Sequence, residues 1–585
     1  MAEMFGIEVT LEENVMIPMR DGVRLECDVY RPAGSGPYPT ILTRSPYGRT
    51  AGTARPNTGA DFWLRLGYAY VTQDCRGRFG SEGEYTPHLY EGPDGYDTVE
   101  WIAEQSWCDG NIGTVGQSYL GADQYQLAPY SPPHLKAMAP VSGTADHRQS
   151  WTRHAGGALE HGWMVPYSLL KGRNTLERKG LTGEEMETLE GYLDPPEEHG
   201  FFAQPLTPEG YSHVPLTDWI PRMEDSAPYF KDYLNNPDDG PFWWQINVRR
   251  GFHTVDMPML HFGSWYDIFL EGTLSGYEGI NTLGGPNARG KQRLLVGPWG
   301  HIGYSLPTSG GTGDLDFGPE AEIDFMEMQE RWFGHWLKGE ENGIMDEAPV
   351  RIFVMGENRW RDEQEWPLAR TEYTPWYLHS DGSANSLNGD GTLSPDAPAV
   401  EPPDRYVYDP NDPVPSLGGN NLIIPRGAFD QRPAEERDDV LVYSSEVLSE
   451  DLEVTGPLRV TLWATSSAVD TDFMAKLVDV YPDGYAQNLQ DGMIRARYRD
   501  SASNPSLLTP GQPYRYEIDL WATSHVFLAG HRIRIEISSS CFPRFDRNPN
   551  TGTPVESESN LVPAAQVVLH DAQHPSYITL PVIPR

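Results

Sequence analysis

Gly116-Gln117-Ser118-Tyr119-Leu120-Gly121 follows a short apolar run, residues 112–115, and precedes a stretch that reads as a helix. Small residues ahead of the serine let a strand turn sharply into that helix, which lifts the Ser118 hydroxyl above the edge of a sheet. The usual form of such a turn is G-x-S-x-G, whereas here the second glycine comes three residues after Ser118. Alone, a serine between glycines means little. Its weight comes from the elements on either side.

Those elements alternate. Strand signals at 15–18 and 23–30 flank Arg20-Asp21-Gly22, a hairpin turn. Residues 38–43 and 68–73 are short apolar strands ending in polar, glycine-rich loops. Across 94–105, Val99, Ile102 and Ala103 share one helical face, with Asp94 or Asp97 placed to cap its start. A further strand follows at 135–141. Strand, helix, strand, helix predicts a largely parallel sheet with helices on its faces. From 146 to 247 the pattern turns helical in pieces (163–170, 186–193, 229–234) between Pro-rich loops. Strands resume at 257–262 and 293–296 and read as the missing strands of the first sheet. Beyond 344 the chain becomes all-β, opened by a strand at 350–355. Arg532-Ile533-Arg534-Ile535-Glu536-Ile537 alternates with period two, so one face is expected to be wet and the other buried. The predicted organisation is an α/β domain in two parts (1–145 and 248–345), a helical cap insertion (146–247), and a jelly-roll β-sandwich (346–585).

Composition narrows the functions available. With 585 residues, 17 Trp and 30 Tyr, the chain is too long for one core and too rich in large side chains to be disordered. A net charge of −40 argues against nucleic acid and anionic membrane surfaces as partners. No apolar run is long enough to span a membrane. The first twenty residues carry Glu3, Glu8, Glu12 and Glu13 and lack the basic start and apolar stretch of a signal peptide, so a cytoplasmic location is expected. Cys27, Cys75, Cys108 and Cys541 are far apart and form no C-x-x-C pair; they read as buried thiols. Residues 285–291 spell most of a P-loop, but Gln292 stands where Ser or Thr belongs and the segment precedes a strand, so nucleotide binding is rejected. No H-E-x-x-H or calcium-loop spacing occurs, and neither a metal nor another cofactor is expected. Self-association into a homo-oligomer stays open.

A serine is a poor nucleophile without a base, and the base needs an orienting carboxylate. In α/β-hydrolases these follow in the order Ser, acid, His, on loops after later strands. The strand at 257–262 runs into Gly263-Ser264-Trp265-Tyr266-Asp267, and that at 293–296 into Gly297-Pro298-Trp299-Gly300-His301. Asp267 and His301 are therefore the candidates. A tetrahedral oxyanion also needs donors: the N–H of Tyr119, and one from the loop Thr43-Arg44-Ser45-Pro46-Tyr47-Gly48, where the Tyr47 hydroxyl is available. Arg76, Arg78 and Glu82 read as a buried ion pair bracing the loop beside the site.

Met19-Arg20-Asp21-Gly22-Val23-Arg24-Leu25, Ser45-Pro46-Tyr47-Gly48, Asp74-Cys75-Arg76-Gly77-Arg78-Phe79-Gly80-Ser81-Glu82-Gly83, the Ser118 turn, Trp265-Tyr266-Asp267 and the segment ending at His301 resemble the cocaine-esterase-like branch of the X-Pro dipeptidyl-peptidase superfamily. Val350-Arg351-Ile352-Phe353-Val354-Met355-Gly356 and Asp438-Asp439-Val440-Leu441-Val442-Tyr443 resemble strands of that family's C-terminal jelly roll. The resemblance covers nearly the whole chain. It implies an α/β-hydrolase with Ser118 as nucleophile, Asp267 and His301 as its partners, and Tyr47 hydroxyl with Tyr119 N–H as the oxyanion hole. It also implies that the helical cap roofs the pocket and that Trp151, Trp163 and Phe269 grip the acyl group. Relatives that act on α-amino acid esters carry carboxylates just after the aspartate. Ile268, Phe269 and Leu270 stand there instead, which argues for an apolar or aromatic acyl group. The expected activity is ester hydrolysis through an acyl-enzyme. An amidase, β-lactam acylase or acyltransferase on the same scaffold remains an alternative, as does a catalytically dead carbohydrate-binding protein. The jelly roll is expected to pack over the site entrance.

Overall fold

A tight turn joins β2 (Ile7–Pro18) to β3 (Arg24–Pro32): Met19 N–H donates to Val23 O at 2.8 Å, and Gly22 takes the left-handed conformation such a turn requires, at φ 88°. This computed structural model describes residues 2–4, 6–34, 36–50, 59–181, 183–194, 204–301 and 311–584. Around the hairpin lie β1 (Ala2–Met4), β4 (Tyr38–Ser45), β5 (Ala69–Asp74), β6 (Cys108–Gln117), β7 (Leu135–Val141), β8 (Leu260–Ser264) and β9 (Arg293–Gly297). A small hairpin follows, β10 (Gly311–Thr312) with β11 (Leu315–Asp316), and then β12 (Val350–Val354) and β13 (Arg359–Glu363). The main sheet has the order β1-β2-β3-β5-β4-β6-β7-β8-β9-β12-β13 and is parallel from β5 across to β12. The chain moves from β4 to β5 on one side and then to β6 on the other. That reversal opens a crevice beyond the carboxyl ends of β4 and β6.

Three expectations change. The strand at 350–355 does not open the jelly roll; β12 pairs parallel to β9. The helix Phe325–Lys338, unmarked in the sequence reading, is the crossover a parallel strand needs. The helix expected over 94–105 spans Glu91–Ala103, and Asp94 is no cap: it holds Arg76 at 2.6 Å, while Asp97 holds Arg20 at 2.7 Å. In the strand Arg532–Ser538 both faces are buried. Ile533, Ile535 and Ile537 enter the core, and the charged side is covered because Arg534 pairs with Glu435 and Glu536 with Lys476.

The segment after β7 forms the helical cap, including His161–Lys179, Glu184–Glu190 and Phe230–Asn235. The strands from Glu372–His379 to Tyr577–Val582 build the all-β C-terminal unit. All four cysteines are buried and unpaired. Among the described residues, no helix is long and apolar enough to cross a membrane.

Candidate active site

Four loops meet the carboxyl rim of the sheet. Tyr47 follows β4, Ser118 follows β6, Asp267 follows β8 and His301 follows β9. β4 and β6 are neighbours, as are β8 and β9, so the four residues come as two adjacent pairs.

Ser118 sits between β6 and the helix Tyr119–Leu127 at φ 62° and ψ −121°. A side chain rarely takes that conformation, and holding it costs roughly 1–3 kcal/mol. The turn is this tight because of its glycines. A Cβ on Gly116 would lie 2.4 Å from Leu120 Cβ, and one on Gly121 would lie 2.7 Å from Val141 O. Gly121, one place later than usual, serves helix-to-strand approach. Ser118 N–H donates to Val141 O at 2.9 Å, tying the turn to β7. Tyr119 N–H begins the helix and is among the amides a helix leaves without an internal acceptor. The Tyr119 ring points into the core, where its hydroxyl donates to Glu91 Oε1 at 2.9 Å and accepts His88 N–H at 3.1 Å.

The Tyr47 hydroxyl lies 3.1 Å from that of Tyr167, on the cap helix His161–Lys179. Burial pushes its phenol up to about 12, against hydrogen bonds with Tyr167 and Ser118 that pull it down. Lys171 Nζ stands 3.9 Å over the Tyr47 ring, and Arg78 donates to the carbonyls of Pro46 and Lys171. Thus Arg78 braces this loop, but Glu82 takes no part. It pairs with Arg24, because residue 82 is hydrogen-bonded alongside β3 through Glu82 N–H to Arg24 O.

Asp267 is fully buried. Its Oδ1 accepts the N–H of Phe269 at 2.8 Å and faces His301 Nδ1 at 3.2 Å. A carboxylate at Nδ1 keeps the proton there and leaves Nε2 as the acceptor, a tautomer assigned from the hydrogen bond. Phe269 bears edge-on against His301 at 5.4 Å and stacks on Trp151 at 4.7 Å; Trp163 meets Trp151 at 4.9 Å. The structure therefore brings Trp151, Trp163 and Phe269 together beside His301. With exposures of 1, 2 and 0 %, they stiffen the wall and offer it little surface. Leu120 and Leu422, partly buried members of the same cluster, expose more.

Sequence reading missed Tyr167 and Lys171, and although it expects the C-terminal unit over the site entrance, it names none of the residues that unit brings: Asn420, Gln490, Ile423, Ile424 and Arg426. Ile423 and Ile424 join the cap cluster, and the Arg426 side chain lies across Gly300, next to His301. No motif marks them, since their places depend on how the all-β unit docks.

The sheet order, the strained serine turn and the cap together define an α/β-hydrolase with an appended all-β domain. Residues 21–303 match the family described as X-Pro dipeptidyl-peptidase (S15 family), and residues 342–579 match the X-Pro dipeptidyl-peptidase C-terminal non-catalytic domain. Cocaine esterase of Rhodococcus sp. (strain MB1 Bresler) is 42% identical over 593 residues, spanning 98% of this chain and 99% of that protein. An aminopeptidase from a marine sediment Thaumarchaeota archaeon superposes with a TM-score of 0.82 at 27% identity, over 99% of this chain and 97% of that one. An α-amino acid ester hydrolase does so with a TM-score of 0.80 at 27% identity, over 100% and 98%. The chain belongs to the cocaine-esterase-like branch of the X-Pro dipeptidyl-peptidase superfamily.

Proposed function

We propose that this enzyme, a carboxylic ester hydrolase, works through Ser118, His301 and Asp267 by way of an acyl-enzyme. Ser118 Oγ attacks the ester carbonyl while His301 Nε2 takes its proton. Asp267 holds the imidazole tautomer and stabilises the imidazolium. The Tyr47 hydroxyl and Tyr119 N–H donate to the oxyanion, in a water-poor site where such bonds count most. Collapse expels the alcohol, protonated by His301, and water then repeats the cycle to release the acid.

The observation that carries this reading is the backbone of Ser118, a non-glycine residue held at φ 62° and ψ −121° at the end of a parallel strand. A structural serine has no use for that strain; a nucleophile presented above a sheet does. The acyl group we favour is apolar or aromatic and carries no ammonium. Ile268 and Phe269 follow Asp267, an apolar wall where an ammonium ion would need a carboxylate.

The test is labelling by a fluorophosphonate probe together with turnover of p-nitrophenyl esters. Wild-type protein should label and turn over, and Ser118→Ala should do neither. Persistent labelling of Ser118→Ala would remove Ser118 from the mechanism. Matched ester and amide substrates, with and without an added nucleophile, separate hydrolysis from acyl transfer.

A further inference from the structure

Trp265, Tyr266 and Asp267, the three residues that end in the proposed catalytic acid, are gripped from the C-terminal domain. Asn420 Nδ2 donates to two carbonyl oxygens, those of Trp265 at 2.9 Å and Asp267 at 3.0 Å. Gln490 Nε2 donates to the Trp265 oxygen at 2.7 Å. The Tyr266 hydroxyl donates to Asn488 O at 2.9 Å and accepts from Gln487 Nε2 at 2.9 Å. Asn420 and Gln490 are 1 and 2 % exposed, so water does not compete for these bonds. Trp265 and Tyr266 also share an apolar core with Leu489 and Trp521 of the all-β unit.

One nitrogen serving carbonyls two residues apart pins the chain across Tyr266 and Asp267. From the hydrolase side, Asp267 N–H donates to Ser264 O at 3.0 Å and Trp265 N–H to Gly297 O at 2.8 Å. Asp267 is therefore anchored on both sides of its Cα, and the direction of Oδ1 toward His301 follows from both. Asn420 is itself held by a stiff loop. Gly419 and Gly427 exchange N–H···O bonds of 2.8 and 3.0 Å, and Asn421 Nδ2 donates to Gly418 O at 2.7 Å and Pro425 O at 2.8 Å.

We propose that Asn420, inside the domain its family describes as non-catalytic, is a positioning residue for the Asp267 carboxylate, with Gln490 as a second support. The proposal rests on reading Asp267 as the acid of the triad. Domain docking alone would need only apolar contact; two polar side chains converging on the carbonyls of the acid loop serve its geometry.

The test compares kcat and KM on a p-nitrophenyl ester for wild type, Asn420→Ala, Asn420→Asp, Asp267→Asn and the Asn420→Ala/Asp267→Asn double variant. Asn420→Ala should lower kcat about 10- to 100-fold with KM within about threefold, the scale of a small misplacement of a catalytic group. Asn420→Asp, similar in shape but without the donor, should lose as much. Groups acting through one another are non-additive, so in the Asp267→Asn background the Asn420→Ala loss should shrink to under about threefold. An unchanged kcat in folded Asn420→Ala, or a loss of equal size in both backgrounds, overturns the proposal. Wild-type kcat in Asp267→Asn would instead overturn the triad reading, and this proposal with it. Should Asn420→Ala fail to fold, Gln490→Met decides: kcat about three- to tenfold lower at constant KM supports the positioning role, on the scale of one lost hydrogen bond, and unchanged kcat overturns it.

Discussion

His301 presents Nδ1 to Asp267 Oδ1 at 3.2 Å, while the other carboxylate oxygen, Oδ2, is buried with no hydrogen-bond partner among the described residues. A buried carboxylate with one oxygen engaged gains from a positive charge formed in hydrogen-bond contact with it, beyond what the Arg426 guanidinium already supplies. Proton transfer from Ser118 to His301 would create that charge. Asp267→Asn should keep the packing but hold the imidazole in the wrong tautomer, lowering kcat by about 10⁴-fold with KM little changed. Steady-state kinetics on a p-nitrophenyl ester check this, and a loss below tenfold would exclude tautomer control by Asp267.

Tyr47 can stabilise an oxyanion only while it keeps its proton. Burial raises its phenol to about 12, above the ordinary value near 10, so deprotonation disables it only in strongly alkaline solution. The alkaline limb of kcat should accordingly show no loss near pH 10 assignable to Tyr47. Tyr47→Phe should slow the chemical step by about 100- to 1000-fold. Tyr167→Phe removes the neighbouring hydroxyl and should cost about three- to tenfold, since one hydrogen bond to the donor is lost. Tyr167→Phe added to Tyr47→Phe should then cost almost nothing. Stopped-flow acylation rates for the three variants decide it, and full additivity would mean that Tyr167 does not act through Tyr47.

Much of this arrangement is legible in the amino-acid sequence. The order of Ser118, Asp267 and His301, each on a loop after a buried strand, follows from apolar runs and glycine punctuation, which are local signals. The cap helices were legible because their apolar residues recur at helical spacing. Long-range partnership was not. β12 reads as the start of an all-β region because its own residues say only that it is a buried strand; its parallel neighbour β9 is about sixty residues away. Asn420 and Gln490 are ordinary polar residues in sequence, and only docking of the C-terminal unit brings them to the acid loop. Arg534 and Glu536 were expected in water because charge normally means exposure, and buried ion pairs break that rule.

Where the cap meets the C-terminal domain, Glu160 lies beside Arg544 and Asp491, and its carboxyl is pushed up to about 7, chiefly by burial. The folded protein therefore holds this proton more tightly than the unfolded chain, whose glutamates titrate near pH 4.3. Stability from this group is fully present below about pH 4.3 and is lost progressively as pH rises toward 7. The whole span amounts to about 4 kcal/mol, at 1.36 kcal/mol per unit. Glu160→Gln, which cannot titrate, should flatten this part of the profile and raise Tm at pH 8 relative to wild type. Calorimetric scans at pH 5 and pH 8 give the comparison. An unchanged Tm difference between the two pH values would mean that Glu160 does not couple protons to folding.

The departure of the serine turn from G-x-S-x-G has its own consequence at Gly121. Val141 O accepts the Ser118 N–H at 2.9 Å and lies 2.7 Å from where a Cβ on residue 121 would sit. Gly143 Cα lies 3.2 Å from the same point, so the added methyl meets backbone on two sides and no flexible side chain can yield. Gly121→Ala should therefore push on the oxygen that anchors Ser118, moving the hydroxyl as well as straining the helix. Overpacking of this kind costs about 1–3 kcal/mol of stability. Displacement of a reacting group by a fraction of an ångström costs rate in addition, and we expect kcat to fall by about 100-fold while the protein remains folded. Gly110→Ala offers the contrast. Its φ of 87° makes it strained too, but its nearest neighbour is a side-chain atom of His134 at 3.6 Å, away from the turn. It should lose stability while keeping kcat. If Gly121→Ala instead loses stability at full kcat, the second glycine serves packing alone and the geometry of Ser118 does not depend on it.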